Sequence, residues 1–170
     1  IMELPYMFKE PDEDVLNEQQ FAYMQNYVNR LEEVLYDDTY FAIREYAKYI
    51  DIDTYIDWWL VHEITFNGEP NHPKSSYMHK DKGGKLKAGP VWDFDRAFGN
   101  CDRIRFGIDY NQPEQWTVCH SRLYGITFLG AGDTTNIPTF YNHLTKNQQF
   151  VDMCKEKWNS VISSASKEAT

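Results

Sequence analysis

The sequence predicts an α+β fold, mostly helical, with one small antiparallel β-hairpin. Three observations predict it. Apolar residues recur at helical spacing in three long stretches. A single stretch, "SSYMHKDKGGKLKAGPVW", changes to strand-like composition around a turn. No β-α-β-α alternation occurs, so a doubly wound parallel sheet is not expected.

The elements follow in order. Pro5 and Pro11 keep residues 1–11 irregular. Residues 12–38 then read as a helix. Phe21, Met24, Val28, Leu31 and Leu35 form one apolar stripe, and Asp12 or Asp14 is placed to cap the start. A short helical turn is expected over 39–47. The most apolar helix follows, opened by Asp53, with Ile56, Trp59, Leu60 and Ile64 on its buried side and a stop at Asn67-Gly68. His62 on this helix reads as a core histidine. The hairpin has arms at about 76–80 and 85–92, joined by "DKGG". Residues 100–135 carry five scattered Gly and Pro and read as a long irregular region. Pro138 opens a short helix. The last helix spans about 147–164, burying Phe150, Val151, Cys154, Trp158, Val161 and Ile162.

Bulk properties narrow the function. At 170 residues the chain is one ordinary domain and can bury a real core. Its net charge of −9 argues against a nucleic-acid partner, since phosphate attraction needs a basic face. Aromatics make up 16%, enough for core volume and also for flat surfaces that meet sugars. No apolar run has the length of a membrane span. Cys101, Cys119 and Cys154 lack metal-type spacing, and their odd number favours free thiols over a disulfide framework. The chain opens on Ile1 and so reads as a trimmed fragment.

Two places carry candidate chemistry. The first is "GPVWDFDRAFGN", where Asp93 and Asp95 flank Phe94 inside an apolar run. On an extended chain their Cα atoms lie about 6.5–7 Å apart on one face, so both carboxylates can share a divalent cation. Oxygen ligands suit Mg²⁺ or Mn²⁺. The alternative is that Asp93 or Asp95 caps a turn through residues 96–98. The second place is the loop "FNGEPNHPKSS", which crowds Asn67, Glu69 and Asn71 between helix and hairpin. A solvated connection is its alternative. The order of helix, polar loop, hairpin and acid matches the layout of a protein-kinase catalytic centre, where the loop carries the base and the later acid holds the metal. A hairpin folds the chain back and lets Glu69 and Asp93 become neighbours. "GGK" at 83–85 lacks the rest of a P-loop, and the histidines lack zinc-ligand spacing.

The stretches "YIDIDTYIDWWLVHEIT" and "SSYMHKDKGGKLKAGPVWDFDRAFGN" strongly resemble the CotH kinase family, atypical bacterial protein kinases that are secreted or spore-associated. The likeness runs from about residue 16 to 158. It implies a kinase large-lobe-like fold, ATP with Mg²⁺ or Mn²⁺ as cofactors, and a protein substrate with a Ser or Thr acceptor. Asp93 and Asp95 would correspond to the metal-binding pair, and Asp93 with Glu69 to the catalytic residues. Asn67, Asn71 and Asp95 would bind or support the cofactor. The family pattern has Asp where this chain has Glu69, and the extra methylene moves a base by about 1 Å. The family's small lobe, which covers ATP, has no counterpart in residues 1–50, so the chain resembles the C-terminal portion of the domain. Its missing partner is then the N-terminal lobe of the same protein. The expected location is extracytoplasmic: secreted, cell surface, lipoprotein or spore coat. Two rival readings remain: a kinase-like surface module that binds protein or carbohydrate without catalysis, and a hydrolase using Asp93 and Glu69 as an acid/base pair.

Overall fold

The computed structural model describes residues 6–65, 67, 76–95, 97, 98, 100, 104–105, 108–109 and 140–168. It is α+β and mostly helical. The helices are α1 (Glu18–Tyr36), α2 (Asp38–Ala42), α3 (Ile52–Ile64), α4 (Phe140–Leu144) and α5 (Gln148–Glu168). Strands β1 (Met78–His79) and β2 (Lys87–Ala88) form one antiparallel pair, with Met78 opposite Ala88. Strands β3 (Ile104–Arg105) and β4 (Ile108–Asp109) form a second antiparallel pair within the region expected to be irregular.

Helix starts are set by side-chain caps, and twice the cap is not the acid the sequence suggests. Asn17 opens α1 with a capping box: its Oδ1 accepts from Gln20 N at 2.9 Å, and Gln20 Oε1 accepts from Asn17 N at 3.0 Å. Asp12 serves instead the short 3₁₀ turn Glu13–Val15, where its backbone carbonyl accepts from Val15 N at 3.0 Å. Asp51, not Asp53, caps α3. Asp37 ends α1 and caps α2 through Thr39 N and Tyr40 N. The single turn expected over 39–47 is divided, because Arg44 takes a left-handed conformation with φ of 57° between α2 and the 3₁₀ turn Glu45–Lys48. Asn147 caps α5 by accepting from Phe150 N at 3.2 Å.

The core joins the C-terminal half of α1 to α3, α4 and α5. Leu31, Val34 and Leu35 are fully enclosed with Tyr46, Ile50, Tyr55, Phe140, Leu144 and Phe150. The α1 stripe therefore enters the core only from Leu31 onward. Phe21 is 47% exposed and packs on Phe8 instead. Around α3 the buried set is Tyr55, Ile56, Trp58, Trp59, Leu60 and His62, whereas Ile64 is exposed. Trp58 stacks on Tyr141 of α4, and the Tyr141 hydroxyl donates to the Tyr55 carbonyl at 3.1 Å. Truncating an enclosed Trp of this kind costs about 3–5 kcal/mol. On α5, Phe150 and Cys154 are buried, while Trp158 and Ile162 lie on the open side. Burial pushes the free Cys154 thiol up to about 12. Cys101 and Cys119 lie outside the described residues. No helix among the described residues is long and apolar enough to cross a membrane.

The hairpin is tied to the start of α3. Leu86 N donates to Tyr49 O, and Asp51 N donates to Leu86 O, both at 2.8 Å, making a parallel bridge beside Ile50. Ala88 N donates to Thr54 Oγ1 at 3.1 Å. After one more ladder bond, Gly89 N to Tyr77 O at 2.9 Å, pairing stops for a local reason. Gly89 has a φ of 110°, strained for any side chain, and Pro90 has no N–H to offer a partner strand. Strand β2 thus ends at Ala88 and not near Trp92. Five residues then lead to Asp93, with a reach of up to about 17 Å. A helix as long as α3 extends about 20 Å. The run from Ala88 can therefore travel along α3 from its first turn to its last.

Candidate active site

The last turn of α3 shapes the site. Thr65 ends the helix, its hydroxyl donating to Val61 O at 2.9 Å. Asn67 N donates to His62 O at 3.0 Å, which curls the chain inward. The Asn67 side chain is consequently buried, at 1% exposure, although its type favours the surface.

The acid-bearing segment docks on this turn at three points. Asn67 Nδ2 donates to the Asp93 carbonyl at 2.9 Å. The Phe94 ring stacks on the His62 ring, with centroids 5.0 Å apart and planes at 13°. Phe98 N donates to Thr65 O at 2.7 Å. The segment is itself a turn: Ala97 N donates to Phe94 O, and Asn100 Nδ2 donates to Asp95 O at 2.6 Å.

The local geometry of the acid pair differs from the expected extended D-x-D. Asp93 has a φ of 65°, in the left-handed region. Asp is one of the few non-glycine residues that enter this region readily. The pair follows a turn and not a strand end, because regular pairing has already stopped at Ala88. Asp93 is half-buried and Asp95 exposed. Among the described residues, no hydrogen bond or ion pair involves the Asp95 carboxylate.

His62 is fully enclosed, as expected for a core histidine, yet it sits inside the site. It lies between Trp58, at 4.1 Å between centroids, and Phe94. Its Nδ1 is 3.3 Å from Asn67 Nδ2. Burial lowers its pKa to about 4. The ring is neutral at physiological pH, and Nδ1 can accept from the Asn67 amide. The His62–Asn67 spacing across a helix end is the sequence signal for this contact, and it becomes readable only when the helix is known to stop at Thr65.

Of the residues singled out from the sequence, the structure brings Asn67, Asp93 and Asp95 to one end of α3. Glu69 and Asn71 lie outside the described residues, as does most of 100–135. Among the described residues, no cluster of three or more His, Cys, Asp and Glu is arranged to hold a metal. Exposed apolar residues flank the acids: Trp92 at 57% and Phe98 at 78%, with Tyr77 edge-on to Trp92. The cleft between α3 and α5, lined by Asp53, Asp57, Met153 and Lys157 among others, is at the opposite end of α3 and is bridged by a 2.7 Å Lys157–Asp57 ion pair.

These features define an α+β domain in which an acid-bearing turn docks on the C-terminal end of its central helix. The family model described as CotH kinase protein matches residues 5–168, and the chain belongs to that family. None of the curated proteins and none of the solved structures compared with the chain matches it.

Proposed function

We propose that this chain is the large-lobe part of an atypical protein kinase that phosphorylates Ser or Thr in a protein, using ATP and Mg²⁺ or Mn²⁺. The observation that carries this reading is the docking of the Asp93–Asp95 turn on Asn67. It brings the turn that carries Asp93, half-buried, and Asp95, exposed, against Asn67 at the start of the polar loop. Hard carboxylate oxygens fit a hard divalent cation. When bound, Mg²⁺ with ATP supplies charge neutralisation at the phosphoryl group being transferred.

The residues divide the work by position. Asp93 and Asp95 offer the metal ligands. Asn67, enclosed and bonded to the Asp93 carbonyl, supports the pair from behind. Glu69 orients or deprotonates the acceptor hydroxyl, and Asn71 supports the loop or the cofactor. The ATP-covering small lobe comes from an N-terminal part of the same protein. The reading carries with it an extracytoplasmic bacterial location, at the cell surface or the spore coat. Catalysis comes mainly from positioning and electrostatic stabilisation.

The test is phosphoryl transfer by the full-length protein with Mg²⁺ and labelled ATP, with and without Asp93→Ala. Loss of transfer in the variant is expected, and equal turnover rejects the metal role. The exposed Trp92 and Phe98 favour a second reading, a surface-binding module without catalysis. Glycan-array binding with no nucleotide-dependent thermal shift would support that reading over the first.

A further inference from the structure

We infer that His62 is a positioning residue for the acid pair: its Nδ1 holds the Asn67 amide against the Asp93 carbonyl, and its ring supports Phe94, so that the Asp93 backbone stays left-handed and its carboxylate keeps one direction. This rests on the reading of Asp93 as a metal ligand.

The left-handed conformation is accessible to Asp but is not its default, so the surroundings of Asp93 select it. Two of the described contacts bear on the Asp93 backbone. The Asn67 amide takes its carbonyl at 2.9 Å, and the next side chain, Phe94, lies nearly parallel to His62. Both contacts lead back to His62. The Asn67 side chain has two ways to face, differing by exchange of Nδ2 and Oδ1. With Nδ2 toward Asp93 O, the same nitrogen sits 3.3 Å from His62 Nδ1. An unprotonated Nδ1 is an acceptor there and favours this orientation. The proton of the neutral ring is then on Nε2. Trp58, one turn earlier on α3, packs on the other side of the His62 ring at 4.1 Å between centroids. His62 touches neither the cation nor the acceptor and acts through Asn67 and Phe94. Partners that orient metal ligands in this way typically change metal affinity 10- to 100-fold when altered.

The experiment measures Mn²⁺ binding to the full chain by calorimetry, together with crystal structures. His62→Phe keeps an aromatic ring on Phe94 and removes the Nδ1 acceptor. Wild type should bind Mn²⁺, Asp93→Ala should lose it, and His62→Phe should weaken it about 10-fold or more. The core variant Val34→Ala, remote from the site, lowers melting temperature and should leave Mn²⁺ affinity unchanged. Wild-type affinity in His62→Phe overturns the inference while leaving the metal reading standing. No Mn²⁺ binding by wild type removes the metal reading instead. The structures decide the positioning independently: in His62→Phe the Asn67 amide should turn or Asp93 should leave its φ near +65°, and an unchanged Asp93 overturns the inference. If His62→Phe does not fold, ¹⁵N spectra of wild type at neutral pH must show Nε2 protonated and Nδ1 accepting. A ring protonated at Nδ1 overturns it.

Discussion

Asn67 donates its side-chain amide to the backbone carbonyl of Asp93 across 2.9 Å, linking the end of the central helix to an acid 26 residues later. This one bond joins the two segments that carry the candidate chemistry. It is partly buried, so leaving it half-made costs more than breaking a surface bond.

Asn67→Ala leaves the Asp93 carbonyl and His62 Nδ1 without this donor. The expected loss is about 1–3 kcal/mol of folding stability. Urea denaturation measures it as a lower midpoint at unchanged slope. A midpoint equal to wild type would mean that the bond is not part of the folded state in solution.

Acid should destabilise the fold through His62. Its folded pKa of about 4 is below the ordinary value of 6.5, because burial disfavours the charged ring. Above 6.5 both folded and unfolded chains hold the neutral ring, and no stability is lost. Between 6.5 and about 4 the unfolded chain takes up a proton that the folded chain refuses. Stability therefore falls as pH falls through that window, by up to about 3 kcal/mol, and this contribution levels off below 4. Stability curves of wild type and His62→Phe should differ in slope within the window. Parallel curves would contradict the enclosed neutral ring.

One tyrosine should ionise early. Lys80 Nζ lies 2.6 Å from the Tyr23 hydroxyl and over the Tyr27 ring at 4.4 Å, clipping the hairpin to α1. The hydrogen bond from Lys80 lowers the Tyr23 pKa, whereas burial raises Tyr6, Tyr36 and Tyr55. A spectrophotometric titration should show this early component, and Lys80→Ala should abolish it. The stability change from that substitution should stay within about 1 kcal/mol, as for exposed pairs.

Asp51 has two roles at the start of α3. Its side chain caps the helix, and its N–H bonds Leu86 of the hairpin. Asp51→Ala removes the cap and keeps the backbone bond, for a cost of about 1 kcal/mol. Asp53→Ala, at the acid the sequence favours, should have little effect. Thermal melts of both variants check the assignment.

Much of the fold is legible in the sequence because burial has a period. Leu31 and Leu35, Ile56, Trp59 and Leu60, and Phe150 with Cys154 all fall where helical spacing puts them. Periodicity does not say where a helix leaves the core. Phe21, Ile64 and Ile162 continue their stripes past the point where the described elements bury them. Caps are ambiguous for a similar reason. Asp12, Asp14 and Asn17, or Asp51 and Asp53, are chemically suitable alike, and only the chain path selects one.

The hairpin implies that the acids and the loop beginning at Asn67 end together; the loop from 68 to 75 lies outside the described residues, and Asn67 and Asp93 meet. The conformation at Asp93 was not legible, since it follows from contacts with Asn67 and His62 that are distant in sequence. The His62 contact was hidden for the same reason, behind a correct reading of that residue as core.

The most direct test of the central claim is a crystal of this chain grown with Mn²⁺, with the metal located by its anomalous scattering. A Mn²⁺ ion coordinated by oxygens of both Asp93 and Asp95, at the turn held by Asn67, is expected. A metal bound elsewhere, or two carboxylates with no ion between them at saturating Mn²⁺, would contradict it.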